Sequence, residues 1–522
     1  MRRVRKGIYM HIGKSYRFRM LATAVVASAV TVTACNTDEL LKVERPDIVP
    51  ISSVTGKTAL PTVYGGVLAD FQRGFNGSTP GGNEGVVNYS GILGDEFTIT
   101  DTFDTRIEID ARYTRPDNSN NDVVFRNLSR SRQSAEQAAA KFAELASTFL
   151  PGEVNGFNGQ RAEILNIAGL DYVLFAEIYC SGVPFDSVTS TGGIVGKPGL
   201  STVEMLRTAI NRFDSATAIA SSITPVTAAA TAQLRVARIG KARAYLDLAN
   251  TYADPFLDSA LVTINGTVGV PTTFQYLVSH SNNTTGENNG IWAFINNQVR
   301  WSEANREGNA AALGNVGLGY RSQFANGADV RTAFLAAVAG FNGAANFRTQ
   351  KYPARETPII VANGTEARLI EAEAFLRKGD VANWLIKLND PRSLLALNQC
   401  VPTSTACANP STAGGVETNA ATHTTATGLA TLTDPGTQVA RENLTFNERG
   451  FWMYATAHRL GDMRRLLRQG FGRTFAQVYP NGPYILAGQP GGVYGPGVNL
   501  PVPIFEESNG IFTTATCNTA AP

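Results

Sequence analysis

Two stretches of the chain interleave aromatic rings with amides, acids and arginines. Residues 88–113 hold Asn88, Tyr89, Asp95, Glu96, Phe103, Arg106 and Tyr113. Residues 290–324 hold Trp292, Asn296, Asn297, Arg300, Trp301, Asn305, Arg306, Tyr320 and Phe324. This mix suits non-covalent recognition of a sugar. Pyranose rings lay their apolar C–H faces on aromatic side chains, and amides, acids and guanidinium groups hydrogen-bond the hydroxyls. Tyr89, Phe103, Arg106, Tyr113, Trp292, Arg300, Trp301 and Tyr320 are therefore the candidate ligand-binding residues. The competing assignment for each ring is core packing, which the same residue types serve equally well.

Bond-making chemistry is far less visible. Asp95-Glu96 is a carboxylate pair of the kind that flanks a glycosidic bond, but adjacent acids in a loop are more often solvated or calcium-coordinating. The chain has no H-E-x-x-H, G-x-S-x-G, Walker or G-x-G-x-x-G motif, so no catalytic residue and no cofactor are expected. No C-x-x-C occurs, and His280, His423 and His458 are scattered, so no metal is expected either. Near the C-terminus, Arg459, Asp462 and Arg465 fall on one helical face at i, i+3 spacing, where Asp462 can pair with either arginine. His458 and Asp462 are i, i+4 neighbours. The expectation is an ion-paired helix that locks the C-terminal segment onto the rest of the protein.

The N-terminus sets the compartment. Residues 1–34 carry seven basic residues and no acid, then an apolar run from Leu21 to Val32, then Val32-Thr33-Ala34-Cys35. This is the layout of an export signal cut before a cysteine, and it is similar to the bacterial lipobox. Acyl chains on Cys35 would anchor the protein, each buried CH₂ contributing about 0.8 kcal/mol. The basic segment is long enough that Met10 and Met20 are alternative starts. Set against the chain's 45 basic and 43 acidic residues, removal of this leader leaves a remainder of net charge −5. An acidic body with no long basic run lacks the electrostatic footprint of a nucleic-acid binder. At fourteen residues, 21–34 is too short to span a bilayer comfortably. Among the other cysteines, Cys400 and Cys407 are spaced for a local disulfide, and Cys180 closes an apolar stretch as a buried free thiol.

The elements that must position these groups are mostly helical. Of the 522 residues, 43% are hydrophobic and only 17% charged, with 50 Gly and 24 Pro, which suits a loop-rich globular protein. Apolar residues recur at three-to-four spacing over 57–74, 122–149, 158–180, 201–222 and 228–252. Helices are also predicted over 364–378, restarting over 381–389, and over 437–469. Successive helices of this length with small residues at their contact positions predict stacked helical hairpins. Residues 75–121 are expected to be a long loop. Short β-like runs occur at Ser259–Ile264 and Ile359–Val361, and 402–436 is a polar, low-complexity loop.

Several of these pieces, taken in order, resemble the SusD/RagB-like outer-membrane nutrient-binding lipoproteins. They are the lipobox and Asn36–Val43; Ala162–Phe185, which ends Tyr179-Cys180-Ser181-Gly182-Val183-Pro184-Phe185; and Glu366–Ala374 followed by Gly379-Asp380. Next come Asn447–Trp452 with Ala457–Arg465, and last Pro501–Glu506. Thr456-Ala457 departs from the family's usual Glu-Gly. The resemblance implies a mainly α fold: a helical-hairpin, degenerate tetratricopeptide-like scaffold with long irregular loops and a few short strands. The expected organisation is a signal peptide at 1–34, a lipidated tether at 35–56 and a single domain at 57–522. That domain has its helical array at about 122–252 and 364–398, a ligand-facing region at about 253–362 and a C-terminal motif at 437–522. The implied function is capture of an oligosaccharide or peptide at the cell surface and its delivery to a SusC-like TonB-dependent outer-membrane transporter. The alternatives are a lipid-anchored glycan-degrading enzyme and a helical-repeat adaptor of the cell envelope.

Overall fold

The computed structural model describes residues 51–522 except 79–83, 189–193, 266–268, 306–316, 327–328, 330, 398–428, 485–491 and 513–516. Met1–Ser53 and Val54–Pro522 are separate compact units. Within the first, only a short 3₁₀ turn, Ile51–Ser53, is described. The leader, Cys35 and the expected Cys400–Cys407 pair lie outside the described residues.

Helix formation in the larger unit follows the local chemistry of the helix ends. After α1 (Leu60–Asn76), α2 (Val86–Gly94) and α3 (Asp104–Asp110) come five helices in close succession. These are α4 (Ser119–Glu144), α5 (Val154–Ile178), α6 (Thr202–Ser221), α7 (Ala228–Leu248) and α8 (Pro255–Ile264). Asn118, Ser201, Thr227 and Asp254 cap α4, α6, α7 and α8 with side-chain oxygens that accept from first-turn N–H groups. Ser201 and Glu204 form a reciprocal capping box. Helices α1, α4, α5, α6, α7 and α8 each pack on the next, and the series continues into α10 (Gly364–Arg377) and α11 (Val381–Asn389), with the short α9 (Tyr320–Ala325) lying between in sequence. The result is the stacked-hairpin scaffold expected from the periodicity.

Close approach in this array depends on glycine. The Phe213 ring of α6 is clasped between Gly169 of α5 and Gly240 of α7, and a Cβ at either position would overlap the buried ring. Gly→Ala in a helix ordinarily gains about 1 kcal/mol. Gly240→Ala is expected instead to destabilise by about 1–3 kcal/mol through overpacking, a reversal of sign that urea denaturation will show.

Three sequence expectations are corrected. Residues 259–264 lie in helix α8, because Asp254 caps it, Pro255 opens it, and Leu257, Ala260 and Ile264 bury one face. The stretch 75–121 contains α2, β1 (Phe97–Ile99) and α3. Every residue of α2 is buried, so it carries no amphipathic stripe to read. The block 437–469 is two helices, α12 (Gln438–Trp452) and α13 (Arg459–Arg468). Between them Ala455 and Ala457 adopt left-handed backbone angles, φ 54° and 63°. Tertiary partners satisfy this break: Ala455 N–H donates to Glu96 at 2.9 Å, Ala455 O accepts from Tyr352 at 3.1 Å, and Ala457 O accepts from Arg243 at 3.1 Å. The short α14 (Phe475–Val478) follows.

Cys180 is not a free thiol. It is bonded to Cys517, 337 residues away. The tail reaches it by pairing with the end of α5: Leu500 N–H donates to Ile178 O at 2.8 Å, and Cys180 N–H donates to Leu500 O at 3.0 Å. Among the described residues, no helix is long and apolar enough to cross a membrane.

The strands are short and antiparallel. In chain order, β1 is followed by β2 (Val183–Pro184), β3 (Ser187–Val188), β4 (Ile194–Val195) and β5 (Gly199–Leu200), then by β6 (Gln275–Val278), β7 (Trp301–Glu303), β8 (Phe334–Ala339), β9 (Ala345–Thr349) and β10 (Ile359–Asn363). The pairs are β1–β7, β2–β5, β3–β4, β6–β10 and β8–β9. Asn346 of β9 donates to Trp301 O of β7 at 2.6 Å, which joins the β8–β9 hairpin to the β1–β7 pair.

Candidate ligand-binding site

Pairing of β1 with β7, Ile99 opposite Trp301, brings the two aromatic-rich stretches together although about 200 residues separate them. The pairing extends beyond the strands, with Thr100 N–H donating to Arg300 O at 2.8 Å. The tip of the β8–β9 hairpin, Gly340-Phe341-Asn342-Gly343, then docks on both. Phe341 N–H donates to Val299 O at 3.0 Å, and Asn342 N–H donates to Thr100 O at 3.0 Å. Gly340 permits this approach, because a Cβ there would lie 2.6 Å from Thr100 Cβ.

These connections assemble a small surface platform. Phe103 and Phe341 are 46% and 50% exposed. The Arg300 guanidinium carbon lies 3.8 Å from the Phe341 ring centroid and 4.8 Å from that of Phe103. Arg300 Nη1 donates to Asp101 Oδ1 at 2.7 Å, and its Nε donates to Gln298 at 3.1 Å. Beneath the surface, Asp101 Oδ2 accepts from Arg106 Nη1 at 2.7 Å, and Arg106 Nε donates to Glu84 Oε1 at 2.6 Å. Burial alone would lower the Arg106 pKa. Glu84 and its neighbours outweigh that and raise it, so Arg106 stays a cation. The two carboxylates and two guanidinium groups thus hold the exposed rings on a rigid base.

The candidates from the sequence divide sharply here. Phe103 and Arg300 stand on the platform, and Arg106 lies under it. Tyr89, Trp301 and Tyr320 are fully buried, which corrects the expectation that they face a ligand. Trp301 stacks on Phe294 at 4.7 Å and on Phe97 at 6.5 Å, and meets Tyr89 edge-on at 6.2 Å. Tyr320 packs on Tyr454 and Phe451. Phe294, under Arg106, carries the stack to Trp301 and Tyr89 beneath the platform, whereas Tyr320 belongs to the core around Tyr454. Trp292 is half-buried and pairs with Arg355 instead. Tyr113 is half-buried against Gly495. Phe341 was missed. Its legible signal is a large apolar residue in an Asn-Gly turn, where a hairpin tip is normally polar.

Asp95 and Glu96 do not form an open carboxylate pair. Asp95 is buried and holds Arg459 through two bonds, 2.9 and 3.2 Å. Burial pushes the Glu96 pKa up to about 8. The C-terminal motif is an interior ion network. Asp462 accepts from Arg449 at 2.9 and 2.8 Å and from Arg465 at 2.8 Å. Arg465 continues to Glu373 at 2.8 Å and Asp247 at 3.2 Å, which ties α13 to α10 and α7. His458 lies 3.0 Å from Glu366. Arg459 was expected within pairing reach of Asp462 on its own helix, but it turns instead to Asp95 beside α2.

No family model matches the chain, and no curated protein matches it. Solved structures do. A SusD superfamily protein from Bacteroides vulgatus ATCC 8482 aligns with 87% of this chain and 97% of its own, at 14% identity and TM-score 0.56. A SusD homolog from Bacteroides thetaiotaomicron VPI-5482 aligns with 89% of this chain and 97% of its own, at 13% identity and TM-score 0.56. A SusD-like carbohydrate binding protein from Bacteroides vulgatus ATCC 8482 aligns with 83% and 88%, at 16% identity and TM-score 0.50. The resemblance first carried by short motifs therefore holds for the fold, and the mainly α, SusD-like architecture is shown.

Proposed function

We propose that this chain, with its SusD fold, is an exported, lipid-anchored binding protein of the outer membrane. It captures an oligosaccharide at the Phe103–Arg300–Phe341 platform and hands it to a SusC-like TonB-dependent barrel. The observation that carries the reading is the platform: two exposed phenylalanines against one guanidinium, set on a buried base within this fold. Export is supported by the leader and by the Cys180–Cys517 bond, since disulfides persist in oxidising compartments. The carbohydrate reading is supported by the name of one structural neighbour. Binding needs no covalent chemistry, and the enclosure of Asp95 and Glu96 leaves that pair no route to a substrate.

Two measurements test this. On a glycan and peptide array, the full chain is expected to retain glycans, and Phe103→Ala with Phe341→Ala to weaken that binding by about tenfold or more with unchanged thermal melting. Retention of peptides alone would overturn the carbohydrate reading. When the tagged protein is purified from gently solubilised outer membrane, a stoichiometric barrel is expected with it. Recovery of assembly factors or of nothing would overturn the uptake role.

A further inference from the structure

The platform holds four linked ionisable groups, of which one reaches solvent. Side-chain exposure is 0% for Glu84 and Asp101, 1% for Arg106 and 16% for Arg300. The outward face therefore presents a cation, while the compensating carboxylates sit behind it. Arg300 commits Nη1 to Asp101 and Nε to Gln298. Its Nη2 makes no hydrogen bond to any described residue. The rings of Phe103 and Phe341 lie against the same guanidinium. They exclude water from its flanks, which strengthens a charge-assisted bond made at its open edge.

We infer that the platform selects acidic glycans, taking a sugar ring that bears a carboxylate. The carboxylate accepts from Arg300 Nη2, and the apolar face of the same or the adjoining ring covers Phe341. Asp104, exposed beside Phe103 at the start of α3, repels an acid on its side. The carboxylate is therefore placed on the Arg300–Phe341 side. A hydroxyl in that position would accept from the same guanidinium without a charge of its own, a weaker bond than the carboxylate's ion pair. The inference rests on the capture reading and adds the ligand's charge.

The test compares two ligands that differ only in that charge: oligogalacturonate and its methyl ester. Calorimetry on the full chain is expected to show the acid binding about tenfold tighter than the ester. Arg300→Gln is expected to erase that preference, and Arg300→Lys to keep part of it. Rising salt is expected to weaken the acid alone. Phe341→Ala, at a hairpin tip where the ring is 50% exposed, is expected to leave thermal melting unchanged and to weaken both ligands. Equal affinity of acid and ester for the unmodified protein overturns the inference. If Phe341→Ala still weakens both, the capture reading stands without it. Binding of neither oligomer also overturns the inference, and the array then tests capture separately.

Discussion

Asp462→Asn is expected to cost about 3–5 kcal/mol of stability, measured as a lower urea midpoint. Asp462 is 1% exposed and takes three charge-assisted bonds from Arg449 and Arg465. An amide in its place turns donor hydrogens toward two guanidinium groups, which are themselves only donors. Arg449 is then left with Glu373 at 3.8 Å as its nearest carboxylate, and two buried positive charges lose their shared counter-ion. The cost is that of stranding these charges, which exceeds what the intact pair contributes over a well-packed apolar core. Burial alone would raise the Asp462 pKa. Arg449 and Arg465 outweigh it and hold the carboxyl far below the usual aspartate range. A depressed acid contributes stability that is fully present above its unfolded pKa and is lost as pH falls through the folded value. The gap between wild type and Asp462→Asn is therefore expected at neutral pH and to shrink only in strong acid. A gap that already closes near neutral pH would overturn this account.

Cys517→Ser is expected to lower stability by about 2–5 kcal/mol. The bond to Cys180 closes a 337-residue separation, so the unfolded chain loses much of its freedom while the bond is intact. The tail is also held by backbone pairing to the end of α5, so the variant is expected to fold and then unfold earlier. The check is paired. Under the same reducing conditions the wild-type midpoint should match that of Cys517→Ser, and the reductant should shift the wild type more than the variant. This pairing also separates the bond from any between Cys400 and Cys407, which reduction would break in both proteins. A wild type insensitive to reductant would remove the Cys180–Cys517 bond from the list of stabilising contacts.

What the sequence determined alone was whatever repeats or terminates locally. The long helices were legible because apolar residues at three-to-four spacing must share a face, and because Ser201 with Glu204 or Thr227 marks a start. The SusD-like motifs were legible where they mark a helix and its end, as Ala162–Phe185 does at the close of α5 and Glu366–Asp380 does at the close of α10. Local reading failed where burial was complete. Helix α2 has no polar face, so no periodicity announced it. Tertiary structure alone decided the partners. Arg459 found Asp95, 364 residues away, rather than Asp462 three residues along its own helix. Cys180 found Cys517. Of the aromatic residues read as a binding surface, Trp301 and Tyr320 became core and Phe103 reached the surface, where it was joined by Phe341 from a hairpin that no spacing connected to it. Rings and charges of one type serve core and surface equally well. Which role each takes is set by what folds over it, and that depends on chain hundreds of residues distant.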